Sequence, residues 1–370
     1  MKKVCAITAT RAEYGLLKWV MTYLNESKDI QLQIIVTGTH LSPEHGYTIN
    51  QIIGDGFHVD KKVDMLLSSN SSSALAKAMG LCSISFADAF NDLQPDLIVV
   101  LGDRYEMMPI CSAALVMRIP IAHISGGDVT EGAIDDKVRN SLTMMADLHF
   151  PGTKESANNI ERMRGDNANV FCVGEPGLDN FRLYNLMSRK ELAESLDIDL
   201  NKSWFLITVH PETMEAKEYN LQMARNVIEA VSEIPNAQTV ISSANADMYG
   251  NEINSLFKEY CSSHRDSFRF YCSLGQRRYL SFMKQVNCII GNSSSGIQEA
   301  PCLGKPVVNI GNRQKGRHLC TNIIQVDNKL QSLKIALRSI KGDVTPDNYW
   351  GDGHTSERIA KFIIEYVTTK

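Results

Sequence analysis

The sequence predicts an α/β protein of two domains, each built on a parallel sheet. Short apolar runs that end in Gly, Ser, Asp or His are followed by helix-like stretches, the rhythm of repeated βα units. That rhythm runs through the first half of the chain and starts again in the second. The length of 370 residues exceeds what a single hydrophobic core serves.

In the first half, strands are expected at Val4–Thr8, Leu32–Thr37, Leu97–Gly102, Ile121–Ser125, Leu148–Phe150 and Val170–Val173. Helices alternate with them: Glu13–Leu24, a long one over Ala74–Leu93 with the serines of 71–73 as its capping loop, one near Met108–Met117, and one through Thr153–Met163. In the second half, strands are expected at Trp204–Val209, Thr239–Ser243, Phe268–Tyr271, Cys288–Ile290, Val307–Asn309 and Ile323–Val326. A helix from Glu218 to Glu233 carries Leu221, Ala224, Val227, Ile228 and Val231 on one face. Gly174-Glu175-Pro176-Gly177 punctuates a domain junction. The domains are therefore drawn as 1–175, joined by a C-terminal helix over 355–370, and 176–354. Ser356 is expected to cap that last helix, whose Ile359, Phe362, Ile363, Tyr366 and Val367 form an apolar stripe suited to packing on the first domain.

Composition excludes several classes. With 44% hydrophobic and 22% charged residues the chain reads as an ordinary soluble protein. Its 38 Lys and Arg against 42 Asp and Glu give a net charge of −4, which offers nucleic acid no basic field. Apolar runs such as Leu97–Leu101 fall far short of the roughly 20 residues that span a bilayer. Arg11 and Glu13 interrupt the N-terminus before a secretory core forms, and the nine cysteines show no CxxC or zinc spacing. The expectation is a cytoplasmic protein with reduced cysteines and no membrane partner.

Open parallel sheets bind ligands outside the carboxyl ends of their strands, and in two-domain chains those ends can face each other across a cleft. The polar residues at these ends are therefore the candidates. The first strand runs into Thr8-Ala9-Thr10-Arg11-Ala12-Glu13-Tyr14-Gly15, with an Arg at a helix start but neither GxGxxG nor a P-loop; a plain βα turn explains it equally well. His40 follows the second strand, and its five-residue spacing from His45 does not suit a metal. After the buried run 97–101 come Asp103 and Arg104, where the Arg charge is expected to keep the carboxylate ionised; a helix cap is the plainer alternative for Asp103. Beyond Ile121–Ser125 lie Gly126, Gly127, Asp128, Glu131, Asp135, Asp136 and Arg139, with Asp135 and Arg139 one helical turn apart on one face.

In the second half His210 ends a strand, as does Asn245 in the segment after Ser243. Gly291-Asn292-Ser293-Ser294-Ser295-Gly296 then offers hydroxyls, backbone N–H groups and a helix start to a phosphate, with Glu299 one turn on as an acceptor for ribose hydroxyls. The loop Gly311-Asn312-Arg313-Gln314 supplies positive charge close by in sequence.

Taken together these segments resemble the hydrolysing UDP-N-acetylglucosamine 2-epimerase family. The resemblance rests on Thr10-Arg11-Ala12-Glu13-Tyr14-Gly15, Gly38-Thr39-His40-Leu41, Leu101-Gly102-Asp103-Arg104-Tyr105-Glu106, His123-Ile124 with Gly126-Gly127, and Gly132-Ala133-Ile134-Asp135-Asp136 with Arg139. It continues in one order through His210-Pro211, Asn245-Ala246-Asp247, Gly291-Asn292-Ser293-Ser294-Ser295-Gly296-Ile297, Glu299-Ala300-Pro301 and Gly311-Asn312-Arg313-Gln314. It implies two Rossmann-like domains facing across a cleft, as in glycosyltransferase-B enzymes. It also implies a reaction, UDP-N-acetylglucosamine plus water giving N-acetylmannosamine and UDP, by elimination to a 2-acetamidoglucal and hydration with C2 inverted.

By the resemblance, Asp103 and Asp135 match catalytic carboxylates, Arg104 and Arg139 basic residues beside them, and His210 a histidine near the diphosphate. Arg11, Ala12, Gly15, His40, Asn245, Ser293, Ser294, Ser295, Gly296, Glu299 and Arg313 match the substrate- and UDP-binding segments. No metal or other cofactor is expected, and a homodimer or higher homo-oligomer is. Ser125 departs from the pattern: several members carry Glu at that position, so Asp128 or Glu131 is expected to take over as acid or base, or the sugar differs. The alternative sugar is UDP- or GDP-linked 2,4-diacetamido-2,4,6-trideoxyglucose, of legionaminic-acid synthesis. That sugar would want a less polar pocket, and Tyr105, Met107 and Met108 are near in sequence. A non-hydrolysing epimerase, a glycosyltransferase on the same fold and a non-catalytic sugar-nucleotide binder are the other readings.

Overall fold

The computed structural model describes the chain apart from residues 69–70, 130–133, 245–247 and 370 and the side chain of His45. Two compact units result: Met1–Asp179 with Gly351–Lys370, and Asn180–Trp350. The first boundary falls just after the glycine-flanked Glu175-Pro176 junction.

Unit 1 holds six parallel strands, β1 (Lys2–Thr8), β2 (Ile30–Thr37), β3 (Lys61–Val63), β4 (Leu97–Leu101), β5 (Ile121–Ile124) and β6 (Leu148–Phe150), in the order β3-β2-β1-β4-β5-β6. Both faces are covered, which is why these strands are continuous apolar runs rather than alternating ones. In β1, Val4 and Ala6 join one core cluster and Cys5 and Ile7 the other. Helices α1 (Arg11–Glu26), α2 (Ile49–Gly54), α3 (Ser72–Leu93), α4 (Met107–Val116), α5 (Ile134–Met145) and α6 (Lys154–Arg164) provide the cover. The strand order reverses between β1 and β4, so the loops leaving those two strands diverge and leave room above them.

Short helices α7 (Asp179–Leu183) and α8 (Arg189–Ser195) lead to the second sheet. It comprises β7 (Ser203–Thr208), β8 (Ala237–Ser242), β9 (Phe268–Tyr271), β10 (Cys288–Gly291), β11 (Val307–Ile310) and β12 (Ile323–Val326), again all parallel, ordered β12-β11-β10-β7-β8-β9. Its helices are α9 (Lys217–Ser232), α10 (Gly250–Ser263), α11 (Gln276–Gln285), α12 (Ser294–Gln298) and α13 (Leu330–Ser339), and its reversal lies between β7 and β10. The last helix, α14 (Thr355–Thr369), belongs to unit 1, where Ile359, Ala360, Ile363 and Val367 enter the core beside α1.

Three sequence expectations change. The segment 170–173 forms no strand and makes one parallel bridge, Val170 to His149. Strand β3 was not foreseen, because three residues carry no periodicity. Ser356 does not cap α14: it lies inside the helix, and the Asp179 carboxylate accepts the backbone N–H groups of Thr355 (3.0 Å) and Ser356 (2.6 Å), 176 and 177 residues away in sequence. By contrast, Ser71 caps α3 by accepting from the Ala74 N–H.

Candidate active site

The first cluster grows from the switch point of unit 1. Asp103 stands between β4 and α4, but α4 begins only at Met107, so Asp103 is no helix cap. Its carboxylate accepts from Nη2 of Arg139, a residue of α5 that is 4% exposed. Nη1 of the same guanidinium donates to the Asp128 backbone carbonyl at 2.8 Å and lies 3.9 Å from Asp136. Arg139 thus turns inward instead of lying on an exposed helix face, and it ties two loops together. Asp135 sits in the first turn of α5 and is exposed.

The Asp128 loop is fixed from below by α6. Ser156 donates to Asp128 Oδ1, and Asn159 Nδ2 donates to the Gly127 carbonyl at 2.8 Å. Gly127 has φ +81°, and a Cβ there would stand 2.2 Å from the Ser156 carbonyl, so only glycine passes. Beneath the loop, buried His123 donates through Nε2 to the Gly102 carbonyl at 2.7 Å; burial lowers its pKa to about 4 and keeps it neutral.

The charge beside Asp103 is therefore Arg139, and Arg104 is committed elsewhere. Arg104 gives Nε (3.2 Å) and Nη2 (2.9 Å) to the fully buried Glu106. Arg11 and Ala12 are exposed on the first turn of α1, while Gly15 is buried within that helix. Glu13 closes a capping box with Thr10, accepting the N–H groups of Ala9 (2.8 Å) and Thr10 (2.9 Å), and burial raises its pKa to about 7. His40 is buried between two threonines. It has no exposed surface, its ring nitrogens lie 3.0 Å from Thr8 Oγ1 and 2.8 Å from Thr48 Oγ1, and burial lowers its pKa to about 4. Glu131 lies outside the described residues.

A carboxylate that sequence reasoning missed meets Ser125. The Ser125 hydroxyl donates to Glu175 Oε2 at 3.0 Å, so the position that departs from the family pattern has a carboxylate delivered to it from the junction segment. Fifty residues separate the two, and no local signal connects them.

The second cluster grows from the switch point of unit 2, where β7 and β10 end. Asn292 joins those ends, accepting the His210 N–H at 2.7 Å and donating to the His210 carbonyl at 2.8 Å. Its own carbonyl accepts from Arg313 Nη1 (3.1 Å) and Gln314 Nε2 (2.9 Å), which brings the loop after β11 onto the same spot. Burial and the Arg313 charge lower the His210 pKa to about 3, so its imidazole is neutral near pH 7. Ser293 caps α12, and Ser295 Oγ lies 3.1 Å from Ser293 Oγ and 2.6 Å from Tyr279 Oη. A Cβ added at Gly296 would stand 3.2 Å from Val307 Cγ1.

The helix that starts here has only five residues, so its dipole is small. Glu299 ends that helix instead of extending it, and burial raises its pKa to about 7. Asn245 lies outside the described residues. Asn292, Gln314 and Tyr279 are the members of this network that the sequence did not single out. Among the described residues no group of three His, Cys, Asp or Glu is arranged to hold a metal ion, and no helix is long and apolar enough to cross a membrane.

The chain as a whole is matched by a known family. The family described as UDP-N-acetylglucosamine 2-epimerase matches residues 22–364. The chain belongs to that family. Its relatives include a GDP/UDP-N,N'-diacetylbacillosamine 2-epimerase (hydrolyzing) of Campylobacter jejuni, 38% identical over 92% of this chain and 88% of that protein. A UDP-N,N'-diacetylbacillosamine 2-epimerase (hydrolyzing) of Legionella pneumophila is 34% identical over 97% of this chain and 94% of its own. Among solved structures, the UDP-GlcNAc 2-epimerase from Neisseria meningitidis bound to UDP-GlcNAc covers 98% of this chain and 100% of its own with a TM-score of 0.75. At 19% identity that likeness speaks for the fold. The protein is thus an enzyme of the hydrolysing 2-epimerase type, with the two-domain α/β fold that its sequence predicted.

Proposed function

We propose that the protein converts a nucleoside-diphosphate-linked 2,4-diacetamido-2,4,6-trideoxyglucose, that is N,N'-diacetylbacillosamine, and water to the free 2-epimeric manno sugar and the nucleoside diphosphate. This is the alternative of the two sugars weighed from sequence, and the names of the Campylobacter and Legionella relatives favour it over UDP-N-acetylglucosamine. Ser125, where several family members carry Glu, agrees with a departure in substrate. The observation that carries the chemistry is the buried Arg139 binding Asp103 on one side and the Asp128 loop on the other.

The steps ask for that arrangement. A sugar C2–H has no adjacent carbonyl to acidify it, so the C1–O bond breaks first and its electron pair leaves with the diphosphate. Carboxylates placed by Arg139 steady the positive charge on the ring, and one of them, Asp103 or Asp128, takes the C2 proton to leave the glucal. Water then adds its hydroxyl to C1, and a proton returns to C2 from the opposite face. Asp135 is a further carboxylate of this set. In unit 2, Arg313, Ser293, Ser294 and Ser295 hold the diphosphate, His210 donates one hydrogen bond to it, and Glu299 accepts from the ribose. The enzyme is proposed to work in the cytoplasm as a homodimer.

The test is nucleotide release with purified protein on both sugars. A kcat/KM at least tenfold higher for the diacetamido substrate is expected; an equal or higher value for UDP-N-acetylglucosamine would return the assignment to the simpler sugar.

A further inference from the structure

Strand β5 hands over to the Asp128 loop through Ser125, which sits at φ +58°, a left-handed conformation that residues other than glycine rarely adopt. Its backbone N–H donates to the Phe150 carbonyl at 3.0 Å, and its hydroxyl donates to Glu175 Oε2 at 3.0 Å. The residues that follow have no slack. A Cβ at Gly126 would stand 2.9 Å from Nδ1 of buried His123, and Gly127 fits only as glycine beside the Ser156 carbonyl. A rotation at Ser125 therefore passes on to Asp128, whose carbonyl Arg139 binds.

Glu175 is itself held from both sides, all within unit 1. It is buried, and Gly152 after β6 makes room for it, since a Cβ there would overlap Glu175 Oε1. The segment that carries it runs beside β6: the Phe171 N–H donates to the His149 carbonyl (2.9 Å) and the Val173 N–H to the Pro151 carbonyl (3.1 Å). On its other side the Val173 carbonyl accepts from Thr355 Oγ1 at the start of α14 (3.1 Å). Strands β5 and β6 are already paired through Ile124 and Phe150, so the sheet does not require the carboxylate.

We propose that Glu175 is a positioning residue for the reaction: through the Ser125 hydroxyl it fixes residues 125–128, and with them the Asp128 carbonyl on which the Arg139–Asp103 pair is seated. This role rests on the reading of Asp103, Asp128 and Arg139 as site residues above, and it holds for either sugar. Glu175 acts through Ser125 and needs no contact with the substrate. As a carboxylate it accepts a charge-assisted hydrogen bond, stronger than a neutral acceptor forms, and so holds Ser125 in a conformation it would otherwise leave. The effect on rate is large because errors of position are multiplied at the chemistry, where a misplacement of about 1 Å costs on the order of a hundredfold.

The experiment measures kcat and KM on whichever of the two UDP-sugars the wild type prefers, and the dissociation constant for UDP. It uses full-length wild type, Glu175→Ala, Glu175→Gln, Ser125→Ala and the Glu175→Ala/Ser125→Ala double variant, with Asp103→Asn beside them. Glu175→Ala and Ser125→Ala are each expected to lose about 10- to 100-fold in kcat, with KM and UDP affinity within about threefold of wild type. The double variant is expected to lose no more than the worse single variant, because both remove one contact. Glu175→Gln, which keeps the shape and an acceptor for Ser125, is expected to recover to within about fivefold of wild type. Glu175→Gln as slow as Glu175→Ala, additive losses in the double variant, UDP binding lost together with turnover, or full activity in Glu175→Ala would each overturn the proposal. Turnover retained by Asp103→Asn would instead overturn the site reading, and it shows in a variant that leaves Glu175 intact.

Discussion

Arg139 binds the Asp103 carboxylate with one nitrogen and the Asp128 carbonyl with another, although the three residues come from three separate loops and helices. The guanidinium is buried, so the link is shielded from solvent and fixes both loops. Asp103→Asn keeps the shape and removes the charge. Turnover is expected to fall by several orders of magnitude while UDP affinity, read by calorimetry, stays within about threefold. Lost UDP binding would move Asp103 from the chemistry to ligand binding.

The proposed nucleotide end is expected to behave in the opposite way. Arg313→Ala and Ser294→Ala are expected to weaken UDP binding first, by about 10- to 100-fold for the charged contact and less for the hydroxyl. Unchanged UDP dissociation constants in both variants would remove the anion site at the end of β10.

Stability should fall in mild acid. His40, His123, His149 and His210 are held neutral, their pKa values lowered from 6.5 to about 4, 4, 3 and 3, with burial the largest cause in each. As pH drops below 6.5 the unfolded chain takes up protons that the native state refuses until about pH 4, so their contribution is complete above 6.5 and lost across that window. Glu13 and Glu299, raised from 4.5 to about 7, act the other way: the native state holds their protons between those values, so their contribution is lost as pH rises. The histidines outnumber them, and Tm is expected to decrease from pH 6.5 to 4.5. A Tm that rises over that range would contradict the burial of neutral imidazoles.

Asp179 fastens the returning helix. Its two backbone acceptor bonds at the start of α14 are buried, so Asp179→Ala is expected to cost about 1–3 kcal/mol in denaturant unfolding. An unchanged midpoint would show that α14 is held by its apolar stripe alone.

The sheets were legible in the sequence because they depend on local pattern. The run Leu97–Leu101 states a buried parallel strand, and Asp103 and His210 follow such strands directly. What could not be read were contacts made by distant segments. Nothing near Ser356 indicates that its N–H is taken by Asp179, and nothing near Ser125 announces Glu175. The spacing of Asp135 and Arg139 put the two on one helix face, whereas the fold buries Arg139 against Asp103, a choice set by the packing of α5 on the sheet. Likewise nothing near His40 announces that Thr8 and Thr48 lie at hydrogen-bond distance from its two ring nitrogens.

The most direct measurement is proton NMR of the enzyme in deuterium oxide with UDP-linked 2,4-diacetamido-2,4,6-trideoxyglucose. The expected result is free UDP and a manno-configured sugar carrying deuterium at C2, because the original C2 proton leaves during elimination and the one that returns comes from solvent. A product that retains its C2 proton, or release of UDP with the gluco configuration intact, would contradict the elimination and hydration proposed for Asp103, Asp128 and Arg139.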